Sequence, residues 1–509
     1  MTMALAQVNG VVVSGISGAV VTVEVDVAQG LPTVGLVGLA DASITEARHR
    51  ARCAVGNSGL RWPLGRVTIG LSPAHVRKHG TGLDLPIAIG VLSADEQIPL
   101  LSEGMDRPVF VGELGLDGQV RSIPGAITVT CAARQFGFAR IVVPADHVEE
   151  CSRVPGIEVV GVRSLRQAVD VLIGEDRGIV ASTPAATPRR AHGPDLSDVL
   201  GQCEGRRALE IAAAGRHSLA MVGPPGVGKT LLAERLPGIL PDLTPHEVVD
   251  VMAVHALVAS DAPGSMVTGE DGRPPFQAPH HSSSPAALLG SVVSGSVRPG
   301  AVSLSHRGVL FLDEAPEFPR NSLESLRQPL EGGSVNLYRA GWRGEVPADF
   351  QLVLAANPCP CGYRHAPRTL GRRCDCPRVA LHAYAQRISG PLVDRIDIRV
   401  QLQPLLGAQR GESSSVVAER VMLARERAHR RWGSVNGRVS PAILNRYPMH
   451  EGAQEIVAEH LRRSGGMRST HRIATLAWTL ADLDGRDRPT VVHVREAIEL
   501  HQPLTQEAP

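Results

Sequence analysis

Eight consecutive residues, Gly223-Pro224-Pro225-Gly226-Val227-Gly228-Lys229-Thr230, combine a supple backbone with one ammonium and one hydroxyl. Glycines let successive amides curl around phosphate oxygens, and a following helix adds a favourable N-terminal dipole. In this G-x-x-x-x-G-K-T pattern Lys229 would reach the β- and γ-phosphates of ATP, and the Thr230 hydroxyl would bind Mg2+. Further on, Gly308-Val-Leu-Phe-Leu-Asp-Glu314 brings four apolar residues up to two adjacent carboxylates. Asp313 would hold Mg2+, directly or through water, and Glu314 would orient and polarise the attacking water. Gln351 to Asn357 is another apolar run ending in a neutral amide that can position water beside the γ-phosphate; an Asn turn before Pro358 is the alternative. In Ser389-Gly-Pro-Leu-Val-Asp-Arg-Ile-Asp397, Arg395 either pairs with Asp394 or Asp397 or stabilises transition-state charge on a neighbouring subunit's γ-phosphate.

A second constellation is Cys359-Pro-Cys361 with Cys374-Asp-Cys376. Four thiolates in two close pairs suit tetrahedral zinc, although C-x-C is tighter than the usual knuckle. Arg364, Arg368, Arg372 and Arg373 between the pairs favour thiolate over thiol. Free thiols or a redox-sensitive pair are the alternatives. The other cysteines, Cys53, Cys131, Cys151 and Cys203, are scattered and read as small core residues. His280-His281 reads as a loop.

These groups need elements to hold them. Leu219–Val222 reads as a buried strand before the glycine loop and Leu231–Leu236 as a helix after it. From Asp195 to about Gln403 strands and helices alternate, as in a nucleotide-binding α/β layer. Residues 1–175 read as mixed α/β, with strands at 21–27, 67–71 and 141–143 and helices at 40–55 and 85–92. Residues 176–194, rich in Pro, Ala, Thr and Arg, read as a linker. Residues 405–509 read as a helical lid, with helices at 415–431, 473–483 and 491–500. Val335–Phe350 reads as a hairpin around a Gly-Trp turn.

Composition limits the function. The 509 residues carry 52 basic and 51 acidic side chains, a formal net charge of +1, so the chain is no polycation that coats nucleic acid by bulk charge. Any DNA contact must be local. Lys78 and Lys229 are the two lysines among the basic residues. The start, MTMALAQ, has no basic leader region and no apolar run approaches a membrane span, so a cytoplasmic location is expected.

The order of glycine loop, Asp-Glu, strand-Asn and Asp-Arg resembles the AAA+ ATPases. Phe276-Gln-Ala-Pro-His-His281, Arg298-Pro-Gly300, Ser305-His-Arg-Gly308 and Leu326-Arg-Gln-Pro-Leu-Glu331 are similar to the magnesium-chelatase-like AAA+ proteins, nearest their ComM/YifB branch. Leu31–Leu39 and Arg77–Pro86 resemble that branch's N-terminal domain. The resemblance implies an α/β AAA+ core, a Lon-protease-like N-terminal domain and a homo-hexameric, ATP-driven ring acting on DNA as a branch-migration helicase. It makes Gly223–Thr230 Walker A, Asp313 and Glu314 Walker B, Asn357 sensor 1 and Arg395 the arginine finger. Arg468 is the nearest match to sensor 2, with Arg472 the alternative. Asp195–Gly201 resembles the segment that packs on adenine. Residues 276–300 correspond to an insertion facing the ring pore. The 335–350 hairpin resembles the pre-sensor-1 hairpin, where Arg339, Trp342 and Arg343 could contact a phosphate backbone and stack on a base.

Two other functions are alternatives. A chelatase-type motor would drive metal insertion through a partner, but such motors usually lack a Lon-like domain. A Lon-like peptidase needs a Ser activated by a Lys. Gly82 and Ile127 stand near those positions. Thr81 with Lys78 would need another geometry, so a scaffold or docking role is expected.

Overall fold

The computed structural model describes residues 5–14, 17–38, 42–74, 78, 80–99, 107–181, 193–258, 272–293, 296–339, 342–364, 374–388, 390–404, 409–464 and 466–502. The N-terminal region is built on a seven-stranded mixed sheet. Its spatial order is Thr33–Val37, Arg66–Ser72, Ser17–Ala28, Ala6–Ser14, Val109–Phe110, Arg140–Pro144 and Glu158–Val162. Ala6–Ser14 and Ser17–Ala28 form a long antiparallel hairpin, whereas the last three strands run parallel. Alternation puts Val21, Val23 and Val25 on the buried face, against the wholly buried helix Asp84–Ala94 and against Ile44, Ala47 and Ala51 of the helix Ala42–Asn57. The chain stays bonded to this sheet after the helix Leu165–Ile173, because Ile179 exchanges two backbone hydrogen bonds with Gly161 (2.6 and 2.8 Å).

The central region contains a five-stranded parallel sheet. Its order is Phe276–Gln277, Val309–Leu312, Gln351–Ala356, Leu219–Val222 and Ile398–Gln401. The strand Gln351–Ala356, which leads to Asn357, therefore lies between the strand before the glycine loop and the strand that leads to Asp313. The Phe276–Gln277 segment, read from sequence as part of an insertion, is the edge strand and pairs with Val309 and Leu310. Beyond it the insertion folds as a short helix, Pro285–Leu289, and a hairpin, Gly290–Val293 with Ser296–Pro299.

The C-terminal helices Ser414–Trp432, Met467–Leu483 and Val491–His501 pack Val417, Val421, Leu476, Leu480 and Val494 into the same core as the helix Cys203–Gly215. A separate apolar contact joins the N-terminal region to the central one: Ile127 and Val154 pack with Val248, Val249 and Met252 of the helix Pro245–His255. No helix among the described residues is long and apolar enough to cross a membrane.

Candidate nucleotide site

The glycine loop leaves the sheet at Gly223 and enters the helix Lys229–Arg235. Gly226 and Gly228 adopt φ of 81° and 93°, a left-handed region that side chains disfavour, so the loop can turn its amides inward. Three oxygens hold the Lys229 ammonium: Gly223 O (2.7 Å), Pro224 O (3.0 Å) and Asn357 Oδ1 (3.0 Å). Burial pushes its pKa down, against the pull of the Asp313 and Glu314 carboxylates. Thr230 Oγ1 donates to Asp313 Oδ2 at 2.7 Å. A hydroxyl and a carboxylate at that separation are a fitting pair of oxygens for Mg2+. The structure thus gathers Lys229, Thr230, Asp313 and Asn357 from three stretches of chain.

Glu314 follows at the strand end with φ of 49°, a strained value for a side chain of its size, while its amide donates to Asp313 Oδ1 (2.9 Å). Its carboxylate meets His281: Nδ1 lies 3.3 Å from Glu314 Oε2. The His280 and His281 rings lie 4.0 Å apart between centroids, tilted by 34°. Sequence reading missed this, taking both histidines as loop. No sequence signal pointed to it, because the strand that brings these residues beside Glu314, Phe276–Gln277, is only two residues long.

Arg395 is held elsewhere. Its carbonyl accepts from Ser218 Oγ (2.6 Å) and from Arg472 Nη1 (3.0 Å), and its guanidinium pairs with Glu331. Ser218 precedes the strand that Gly223 follows. Four strand residues at about 3.3 Å each put about 13 Å of sheet between Arg395's backbone and the chain's own glycine loop. Arg472 also pairs with Asp397, whose other oxygen accepts from the Ser218 amide (3.0 Å). Arg468 is exposed and lines, with Arg395 and Arg472, a cavity of about 620 Å3 at this edge. The structure brings both sensor 2 candidates to Arg395 and not to Lys229. Glu331 and Ser218 were not foreseen, because they act through tertiary contacts.

The four cysteines also converge. The sulfurs of Cys359, Cys361, Cys374 and Cys376 lie within 4.8 Å of one another. The Cys361 thiol, which burial raises, is brought down to about 7 by hydrogen bonds from the Tyr363 backbone and its neighbouring thiols. The strands Ser334–Arg339 and Trp342–Pro347 form the expected hairpin, with Arg339 opposite Trp342 and Tyr338 opposite Arg343. The side chains of Arg339, Trp342 and Arg343 lie outside the described residues, as do Arg368, Arg372 and Arg373.

Among the described residues of the N-terminal region no peptidase pair is assembled. Ile127 is buried in the contact with the central region, and Lys78 is buried with Nζ on Leu71 O (3.1 Å) and Pro73 O. Thr81 instead donates to Glu113.

Three family models cover most of the chain: subunit ChlI of magnesium chelatase over 23–147, the magnesium chelatase ChlI subunit over 195–409 and its C-terminal part over 411–501. The chain belongs to the magnesium-chelatase-like AAA+ family. Within this family it is 44% identical to an uncharacterized Mycobacterium tuberculosis protein, over 98% of this chain and 99% of the other. It is 38% identical to the uncharacterized protein YifB of Escherichia coli and 36% identical to the competence protein ComM of Haemophilus influenzae, each over 97% of both chains. A partial likeness, 27% identity over 39% of this chain, extends to Lon protease 2 of Bacillus subtilis. Membership in a magnesium-chelatase-like AAA+ family implies ATP and Mg2+ at the Lys229 site, and the geometry there fits both.

Proposed function

We propose that this chain hydrolyses ATP as a homo-hexameric ring and uses the cycle to remodel or translocate DNA. The observation that carries the ring is the separation of Arg395 from the glycine loop of its own chain. Among the described residues no arginine is hydrogen-bonded or ion-paired to Lys229, Thr230, Asp313, Glu314 or Asn357, whereas Arg395 lies at the far end of the strands. A neighbouring subunit's Arg395, freed from Glu331, supplies the missing charge, and Arg468 at the same edge serves as sensor 2 across the same interface. Glycine-loop amides and Lys229 bind the β- and γ-phosphates of ATP, while Thr230 and Asp313 hold Mg2+. Bound there, Mg2+ neutralises charge developing on the phosphate oxygens. Glu314 takes the proton of the attacking water, and Asn357 orients that water.

DNA as the substrate is supported by the likeness to ComM and by the hairpin carrying Arg339, Trp342 and Arg343. The zinc reading of the cysteine cluster is supported by the chemistry of four converging thiols. The test is ATPase activity titrated with forked DNA, single strands, casein and buffer alone. Stimulation by DNA is expected. Absence of both stimulation and DNA retention on a filter overturns the DNA reading and leaves the alternative, a chelatase-type motor.

A further inference from the structure

We propose that the four-cysteine metal centre is a working part of the nucleotide site: metal bound there holds Asn357 in position, so its occupancy sets the rate of ATP hydrolysis. This rests on the zinc reading above. A zinc ion with sulfurs at about 2.3 Å in a tetrahedron separates them by about 3.8 Å. Cys359 Sγ lies 3.3 Å from Cys361 Sγ and 3.7 Å from Cys374 Sγ. The Arg364 amide donates to Cys359 Sγ at 3.3 Å, a contact typical of the outer shell that orients metal ligands.

Connectivity around Asn357 carries the coupling. Asn357 is joined through Pro358, whose ring restricts the backbone, to Cys359, so sensor and first ligand are two residues apart. Gly362, just past the second ligand, lies against the glycine loop: a Cβ there would sit 2.7 Å from Pro225 Cδ. On the far side, Cys374 and Cys376 lead into the helix Arg378–Ala385, and the buried Tyr384 of that helix lines one cavity with Asn357 and Pro358. The path from Asn357 through Cys359 and Cys361, across the metal to Cys374 and Cys376, and back through Tyr384 to Asn357 is a closed circuit. Metal is the one link in it that can be removed. Without it the twelve residues between Cys361 and Cys374 form an uncrosslinked loop, and closing such a loop costs entropy that the metal otherwise offsets. Asn357 Oδ1 sits 3.0 Å from Lys229 Nζ, so a displaced Asn357 disturbs the hydrolytic end of the site.

The full chain, purified from zinc-supplemented cells, is assayed for zinc by chromogenic release after thiol blocking. A zinc-selective chelator is then applied with Mg2+ in excess, and ATP turnover is measured before and after zinc is restored. One zinc per chain is expected. Its removal lowers kcat about tenfold, the scale on which outer-shell partners act, with a smaller change in KM. Restoring zinc restores the rate. In an Asn357→Ala background the same stripping has little further effect, since the group it displaces is gone. Cys374→Ser abolishes both zinc and the reversible part of the rate; should that variant not fold, the reversible stripping of the unaltered chain still decides. No zinc in the protein overturns the metal reading. Zinc present and removable with unchanged turnover, or an equal further loss in the Asn357→Ala background, overturns the coupling while leaving the metal reading in place.

Discussion

Glu314 and His281 share one contact, and that contact has a measurable consequence. The carboxylate must be available to water at the moment of hydrolysis, yet His281 lies 3.3 Å away. Both side chains are partly exposed, so the pair is worth at most about 1 kcal/mol, or about a fivefold change in rate. His281→Ala is expected to raise DNA-independent ATP turnover by up to that factor; unchanged turnover removes His281 from the cycle. Glu314→Gln keeps nucleotide binding and lowers turnover by about 10² to 10⁴, as loss of a general base does. If it hydrolyses at the native rate, the base is another residue. Lys229→Ala is expected to lose nucleotide binding itself, read by fluorescent-nucleotide titration. At this scale the sequence was informative where structure is local: Gly223–Thr230 lies between the strand Leu219–Val222 and the helix Lys229–Arg235, and Thr230 meets Asp313. His281 was not legible, because its partner lies outside its own segment.

At the scale of elements, the lid is joined to the sheet through a buried histidine. His217 lies before the glycine-loop strand, with Nε2 at 2.7 Å from Thr479 Oγ1 of the helix Met467–Leu483. Burial, with the Arg472 charge adding, pushes its pKa down to about 3. Burial also lowers His306 and His501 to about 4. These rings stay neutral in the folded chain while the unfolded chain takes up protons near pH 6.5. Their contribution to stability is therefore intact above about pH 6.5 and is lost as pH falls toward 4. Denaturant unfolding followed against pH should show that slope, and His217→Gln should make it shallower; an equal slope in the variant contradicts the role. Alternating and apolar runs made the strands and long helices legible, from Ser17–Ala28 to Ser414–Trp432. The short helix and hairpin within 276–300 carry too few residues for a periodic signal, and the strand Phe276–Gln277 is only two residues long.

The whole molecule adds what neither scale shows. The N-terminal sheet is docked on the core through Ile127, at the position near which a Lon-type lysine would stand, so the residue that ends the peptidase resemblance is part of a packed contact. That contact was invisible in sequence, since Ile127 and Met252 are neighbours only in three dimensions. The placement of Arg395 was equally hidden: spacing left its role open between a pair with Asp394 or Asp397 and a neighbour's phosphate, and the structure instead pairs it with Glu331 while Asp397 pairs with Arg472. If Arg395 acts between subunits, Lys229→Ala and Arg395→Ala damage different halves of one interface. Each variant alone should be inactive. Mixed in equal amounts under conditions that let rings exchange subunits, they should recover about a quarter of the native rate, the share of interfaces pairing an intact loop with an intact arginine in a head-to-tail ring. No recovery on mixing, with Arg395→Ala active by itself, would contradict the account.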